Sequence, residues 1–524
     1  MERSEVKAYL VGGGVASLAS AAYLIKEGGL QASNIRIFES SNIVGGAVDK
    51  LGSPDKGYVI RGRRMFNFSY VCTYDLLSFI PSLTDAAKTV RDELVAFNER
   101  VKTFAKARLI VSGEKVDVSS MGFCAKDRHD LFEIISRSER SLGAKRIDEC
   151  LRTSFFETNF WYMWATMFGF QPWHSAAEFK RYIHRFVHEF PRVNSLAGFD
   201  RTPYNQYESI ILPIEGWLRN QGVLFEKNAQ VTDLDFRSSN NGASVEHLHY
   251  VAKGETKDIP IGVSDLVFVT NGSMTAATTL GSHVAPPLLN TSKPAEWALW
   301  RKLARKRPDF GRPWIFDGHI DESWGESFTV TCRDLSLLHM IEDFTGNPAG
   351  TGGLVTFKDS NWLLSMIVPY QPHFLNQPVD TAVFSAYGLV PHKLGNFVHK
   401  RMFDCSGEEF LVELCSHLGF AAELPRILAA STCIPCMMPY MTSQFLIRQE
   451  GDRPQVAPQG ATNLAFIGQF CEIPDDVVFT VEYSVRSAQL AVYKLLKIDK
   501  EPPPLYQGQR DLLVFIDAID AMFS

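Results

Sequence analysis

The first patterned stretch of the chain is a short apolar run, Lys7-Ala-Tyr-Leu-Val11, which reads as a buried strand. Ala and Leu then recur at helical spacing over 15–28, and Asn34-Ile-Arg-Ile-Phe38 reads as a second, parallel strand. Strand, helix and strand make a βαβ unit, whose crossover is nearly always right-handed. From about 70 to 195 aromatic and aliphatic residues fall mostly three and four apart, which predicts a mainly helical region. A further helix is expected over 206–218. Short alternating strands follow between 223 and 270, ending in Asp265-Leu-Val-Phe-Val-Thr-Asn-Gly272. The stretch 290–440 is mixed, with strands expected near 327–332 and 361–368. Ser406 and Glu409 form a capping box for a helix over 408–418 that stops at Gly419. A strand at 464–467 and a helix over about 478–495 precede Pro502-Pro-Pro504, a stiff break before a last apolar segment, 511–523.

Size and charge narrow the classes. A chain of 524 residues exceeds what one hydrophobic core usually supports, so two or three domains sharing one ligand are expected. A net charge of −6 without any Lys/Arg run excludes a nucleic-acid footprint. Nine cysteines without a spacing rhythm, and no signal peptide before the first strand, point to reduced thiols and a cytoplasmic setting. No run of about twenty apolar residues offers a membrane span. Segment 511–523 carries acids on its polar side, which favours docking on the protein itself over peripheral membrane contact.

The turn after the first strand, Gly12-Gly13-Gly14-Val15-Ala16-Ser17, has the form of a dinucleotide fingerprint. Gly12 permits the tight turn, Gly14 lets the backbone approach a pyrophosphate, and Ala16 and Ser17 are small enough for close helix–strand packing. The helix N-terminus beyond adds free N–H groups and a favourable dipole. Glu39 ends the second strand, where an acid accepts hydrogen bonds from a ribose. Gly45 and Gly46 form a second glycine turn typical of FAD proteins of the glutathione-reductase type. The late strand running into Gly468 and Gln469 resembles the element that reaches the ribityl chain of FAD, with Val478 at the start of the helix that follows. No second Gly-rich βαβ unit is present, which weighs against a separate NAD(P)H domain.

Longer stretches resemble the oleate hydratase family, formerly called myosin-cross-reactive antigens. They include 12–18, Gly57-Tyr-Val-Ile-Arg-Gly-Arg-Arg64, Asp75-Leu-Leu-Ser-Phe-Ile-Pro-Ser82, Tyr204-Asn-Gln-Tyr-Glu-Ser209 and Gln371-Pro-His-Phe374. The longest is Cys471-Glu-Ile-Pro-Asp-Asp-Val-Val-Phe-Thr-Val-Glu-Tyr-Ser484. The resemblance implies an α/β protein with a discontinuous, doubly wound FAD-binding domain (1–70, 200–290 and 440–500), a mixed α+β substrate region with helical elements (71–199 and 291–439) and a C-terminal segment, 501–524. It implies redox-neutral hydration of a cis double bond in a free unsaturated fatty acid, by a monomer or homodimer.

The same resemblance places the proton donor at Tyr182 and adds Arg61 and Arg64 to the FAD site. It places the family's water-activating Glu, which ends an Arg-Gly-Gly-Arg-Glu motif, at Met65. A thioether takes no proton, so Met65 is no base, and Asn67 or backbone carbonyls are the candidates to orient the water. The substrate carboxylate is expected at Gln206 and His373, while Ile367 and Pro369 replace polar residues at that end. His184 and His188 are spaced for zinc but lack the catalytic Glu of that motif, so no metal site is expected. Cys433-Ile-Pro-Cys436 has no partner pair and supports neither zinc nor a redox dithiol. Two alternatives stay open on the same residues: a flavin-dependent fatty-acid double-bond isomerase or oxidoreductase, and a non-catalytic lipid-binding FAD protein.

Overall fold

The first expected elements form and pair in parallel. Ala8–Val11 lies beside Ile35–Glu39, with Leu10 opposite Ile37. The helix between them, Val15–Lys26, ends just before Gly28-Gly29, where Gly29 takes a positive φ of 67° that stops the helical turn. A computed structural model describes residues 5–48, 50–61, 64–239 and 242–523 of the chain. In it five parallel strands run in the order Leu464–Ile467, Leu266–Thr270, Ala8–Val11, Ile35–Glu39 and Leu224–Lys227. Four widely separated parts of the sequence therefore build one sheet. Its middle strand, Ala8–Val11, is buried along its whole length and its neighbour Leu266–Thr270 at all but the last residue, as parallel strands covered on both faces require. The helix Val481–Leu495 packs against Val15–Lys26. An antiparallel meander, Ala229–Ser239, Gly242–Ala252 and Glu255–Pro260, accounts for the alternating strands before residue 270.

A second, eight-stranded sheet carries the opposite wall of the site. Its order is Thr279–Leu280, Ser431–Met438, Gly325–Cys332, Ala382–Gly388, Leu364–Ile367, Val355–Phe357, Leu109–Val111 and Glu114–Lys115. The last two strands interrupt the region 70–195, which is otherwise mainly helical as expected. Segments this short leave no period-two signature, and only their pairing partners make them strands. Phe328, Val330 and Phe384 turn one face of this sheet toward a core built with Phe410 and Leu414 of the helix Gly407–His417. That helix has the expected Ser406–Glu409 capping box. Alternate positions, Ser327, Ser385 and Tyr387, face the other way. A separate hairpin, Lys50–Ser53 with Gly57–Ile60, is stitched to the eight-stranded sheet where Tyr58 and Ile60 donate their N–H groups to the hydroxyls of Thr331 and Thr329, each at 2.9 Å.

Two other helices depart from the periodicity in instructive ways. The helix expected over 206–218 begins as a widened π turn, Tyr207–Ile211, and continues as Leu212–Gln221. Pro213 has no N–H to give the preceding turn, and the widening sits directly before it. The late helix starts at Val481 rather than 478, because Asp475 and Phe479 adopt positive φ values of 63° and 69°. Segment Leu512–Phe523 is a helix that turns Ala518 and Met522 inward and leaves Leu512, Leu513 and Phe523 exposed.

A buried charge network ties the helix Ala176–Arg185 to the segment 472–486. Glu178, fully enclosed, accepts from Arg448 at 2.5 Å and Arg453 at 2.9 Å. Arg181 pairs with Glu139 at 2.6 Å and Glu472 at 2.8 Å, and also donates to the carbonyls of Ile473 and Asp476. Arg486 pairs with Glu482 at 3.0 Å, and Glu482 in turn accepts from the Thr73 N–H at 2.8 Å. Burial alone would raise the Glu178 carboxyl, but Arg448, Arg453 and Arg181 outweigh it and hold it at about 2. A depressed carboxyl contributes stability above the ordinary value near 4.5 and loses it as pH falls through about 2. Glu178→Gln, which strands two buried guanidinium groups, is expected to cost about 3–5 kcal/mol near neutral pH. Paired thermal melts should show the gap to wild type narrowing as pH falls below about 4.5; a gap independent of pH would contradict the charge assignment.

Candidate functional site

The glycine turn sits where the first strand ends and the first helix begins. Gly12 has a φ of 93°, and a Cβ there would press on Thr270 at 3.2 Å. The Gly13 N–H donates to Glu39 Oε2 at 2.8 Å, while Glu39 Oε1 accepts from the Ser41 N–H at 2.8 Å. Each carboxylate oxygen has a second lone pair, so Glu39 can still accept from a ribose. Gly14 caps the helix with no side-chain bond, and a Cβ added there would meet nothing within 4 Å. Uncapped N–H groups facing open space suit a pyrophosphate. Gly45 donates to the Gly13 carbonyl at 2.9 Å, and Gly46 comes so near that its Cβ would lie 3.4 Å from Gly14 Cα.

The neighbouring strands close this cradle. Ser17 Oγ lies 3.2 Å from Thr270 Oγ1, and buried Ala16 lies beneath Gly468. Gly468 donates its N–H to Ser487 Oγ at 2.9 Å. Gln469 keeps an enclosed Oε1 with no protein partner. An orphaned acceptor and an open helix start fit a bound dinucleotide.

A cavity of about 1630 Å³, counting its open mouth, lies against the eight-stranded sheet, where Ser327, Ser385 and Tyr387 face it. Arg61, Arg64, Met65, Tyr182, Gln206 and His373 all line it, so the structure gathers residues that lie far apart in sequence. Gly62 and Arg63 of the same motif lie outside the described residues. Tyr182 is fully buried on the amphipathic helix Ala176–Arg185, packed among Phe168 and Phe170 and donating to the Val478 carbonyl. Burial, the Tyr70 phenol and the Glu178 carboxylate push its own phenol well above the ordinary range. Arg64 lies over the Phe479 ring at 4.0 Å, and burial lowers it to about 10, still charged near neutrality.

Polar groups gather around Gln206 and His373. Gln206 Nε2 donates to the Arg64 carbonyl at 2.5 Å, and its Oε1 is enclosed without a partner. The His373 N–H donates to Gln377 Oε1 at 2.8 Å, and its carbonyl accepts the Asn205 N–H at 2.8 Å. Ile367 and Pro369 line the same cavity. Sequence reasoning missed Arg201, whose Nη2 stands 4.0 Å from Met65 Sδ on the cavity wall. Its place just before the Tyr204–Ser209 motif was the available signal. No Asp or Glu among the described residues lines the cavity.

Asn67 is the residue the structure reassigns. It is fully buried and does not line the cavity. Its amide donates to Glu189 at 2.8 Å and to the Gly198 carbonyl at 3.0 Å, and its oxygen accepts from Ser69. Those bonds leave it no hydrogen-bonding capacity facing a substrate water. His184 meets the Ile135 carbonyl, while His188 meets Asn67 and Glu189, so the pair does not converge. Cys433 and Cys436 sit on one strand, in separate hydrophobic clusters, and are not joined by a disulfide.

Solved structures share this architecture. A putative protoporphyrinogen oxidase from Exiguobacterium sp. 255-15 superposes with a TM-score of 0.52 at 13% identity, over 94% of this chain and 99% of that one. A cyclohexylamine oxidase from Brevibacterium oxydans IH-35A gives 0.52 at 12% identity, over 94% and 99%. At such identity these likenesses concern the fold alone, and they agree with the discontinuous, doubly wound fold expected from the sequence. Closer in sequence is an oleate hydratase of Streptococcus pyogenes serotype M49, 37% identical over 98% of this chain and 88% of its own length. A linoleate hydratase of Lactiplantibacillus plantarum is 31% identical over 97% of this chain and 98% of its own. With the MCRA family model matching residues 5–493 as well, the chain belongs to the MCRA family.

Proposed function

We propose that this protein is an FAD-containing hydro-lyase that adds water across a cis double bond of a free unsaturated fatty acid. The observation that carries the reading is the cavity: a largely apolar chamber with no acid on its described wall, the buried phenols of Tyr182 and Tyr70, and a polar cluster at Gln206 and His373. A fatty acid calls for that division, apolar walls for the chain and a few convergent polar groups for its carboxylate. The names of the relatives, an oleate hydratase and a linoleate hydratase, favour the same substrate class.

Gly12, Gly14 and the helix start at Ala16 and Ser17 would hold the FAD pyrophosphate, and Glu39 its ribose. Gly45, Gly46, Gly468 and Gln469 would border the rest of the cofactor, with Arg61, Arg64 and Val478 at the cavity. When bound, the flavin would supply polar groups beside the site, and hydration would leave its redox state unchanged.

The chain's own residues would carry the proton. Tyr182 Oη gives its hydrogen to one alkene carbon, and a water oxygen bonds to the neighbouring carbon. The proton lost by that water restores the phenol, so one C=C and one H₂O become H–C–C–OH with no electron transferred. Ser327 Oγ, enclosed without a partner on the cavity wall, is suited to hold the water that Met65 cannot activate.

Turnover of oleic and linoleic acids in H₂¹⁸O, followed by mass spectrometry, tests the reading. Wild type should install one labelled hydroxyl, and Tyr182→Phe should lower kcat by about 10²–10⁴ without abolishing binding; an unchanged rate would remove Tyr182 from the reaction. Because the Tyr182 phenol lies well above 10, kcat should show no fall at the ordinary tyrosine value as pH rises. A descending limb centred there would contradict its enclosed placement. Gly13→Ala would drive a Cβ within 2.9 Å of Glu39 Oε2 and Val44 Cγ1. That variant should lose its flavin on gel filtration, read from bound-flavin absorbance, and retention at the wild-type level would argue against the cradle.

A further inference from the structure

Arg201 is a half-buried cation on the cavity wall that the fold does not neutralise. Its Nε donates to Thr103 Oγ1 at 3.0 Å, and its Nη2 reaches only the Met65 thioether, at 4.0 Å. Among the described residues no acid stands near enough to offset the effect of burial on its charge. Gly353 makes room beside it, since a Cβ there would come within 3.2 Å of Nη2. Behind the same wall lies Arg108, wholly buried, which donates to the carbonyls of Leu354 and Val193 and keeps an Nη2 with no partner. A half-buried guanidinium on the cavity wall backed by a wholly buried one is a costly arrangement, because a charge withdrawn from water needs a counter-charge or enough hydrogen-bond acceptors. Burial draws both down to about 10, and Arg201 further disfavours the charge on Arg108. Such a pair is incomplete without an anion, and the cavity wall offers none.

We propose that Arg201 anchors the carboxylate of the substrate, with Arg108 supplying a second positive charge behind it. The inference rests on the fatty-acid reading above and adds a charged group to the polar cluster at Gln206 and His373. Guanidinium matches a carboxylate in both charge and fork geometry. Met65 gains a role from this placement: an acid at that position would stand against Arg201 and compete for it, whereas a thioether leaves it free. The surface Arg201 presents is therefore specific for a free acid over an ester or alcohol of the same chain.

Equilibrium binding to the FAD-loaded full-length protein separates the outcomes, with oleate and oleyl alcohol titrated by calorimetry. Wild type should prefer oleate by about tenfold to a hundredfold, the worth of a hydrogen bond to a charged group. Arg201→Met should abolish that preference while binding the alcohol as before, and Arg201→Lys should keep part of it. Equal loss of both ligands in Arg201→Met would mark Arg201 as packing only, and an intact preference would exclude it as the anchor. Equal binding of acid and alcohol by wild type would overturn the anchor but leave the lipid reading standing. Binding of neither would sink the fatty-acid reading and the anchor with it.

Discussion

The site depends on a buried knot of arginines and carboxylates. Glu178, Arg181, Arg448, Arg453 and Glu472 lock the helix that carries Tyr182 against the segment that carries Gly468, Gln469 and Val478. One wall of the cavity belongs to that helix, and the turn at Val478 that receives the Tyr182 hydrogen belongs to the other partner. A hydrophobic contact alone would hold these elements together but leave them free to slide. Charges enclosed at 2.5–2.9 Å have few alternative partners, so the register between the elements is fixed. Arg185 and Arg486, both directed at Asp476, extend the same lock toward the helix Val71–Leu77 through Glu482.

The cavity shows the opposite electrostatic habit. Around Tyr182 the protein satisfies its charges internally, whereas at Arg201 it leaves a positive charge facing an apolar chamber. Replacing the expected glutamate by Met65 removes both a base and the natural counter-charge for Arg201. In the proposed function the two effects point the same way: protonation would begin at a buried phenol, and the substrate would complete the charge balance of the site. Phe479, held at a positive φ of 69° with its ring beneath Arg64, keeps that guanidinium on the cavity wall.

How much of this was legible beforehand follows from how local each signal is. The βαβ unit, the glycine turn, the strand Leu464–Ile467 and the Ser406–Glu409 cap were readable because each depends on residues adjacent in sequence. Hydrophobic periodicity and backbone permissiveness act over a few residues, so they survive in a one-dimensional record. The strands Leu109–Val111 and Glu114–Lys115 were not readable, because three paired residues carry no period and become strands only by joining a sheet built elsewhere.

For the site, the sequence by itself determined the residue types: a small-residue turn with an acid beyond it, a tyrosine on an amphipathic helix, and a methionine where a base would stand. It also determined that the two expected carboxylate partners, Gln206 and His373, were present. Only the tertiary structure decided which of these face one another. It withdrew Asn67 into a network with Glu189 and Gly198, and it brought Arg201 against Met65 across a long interval of chain. Side-chain direction and the absence of a counter-charge are properties of three-dimensional enclosure. No spacing along the chain encodes them, because burial is set by every element that packs around the residue.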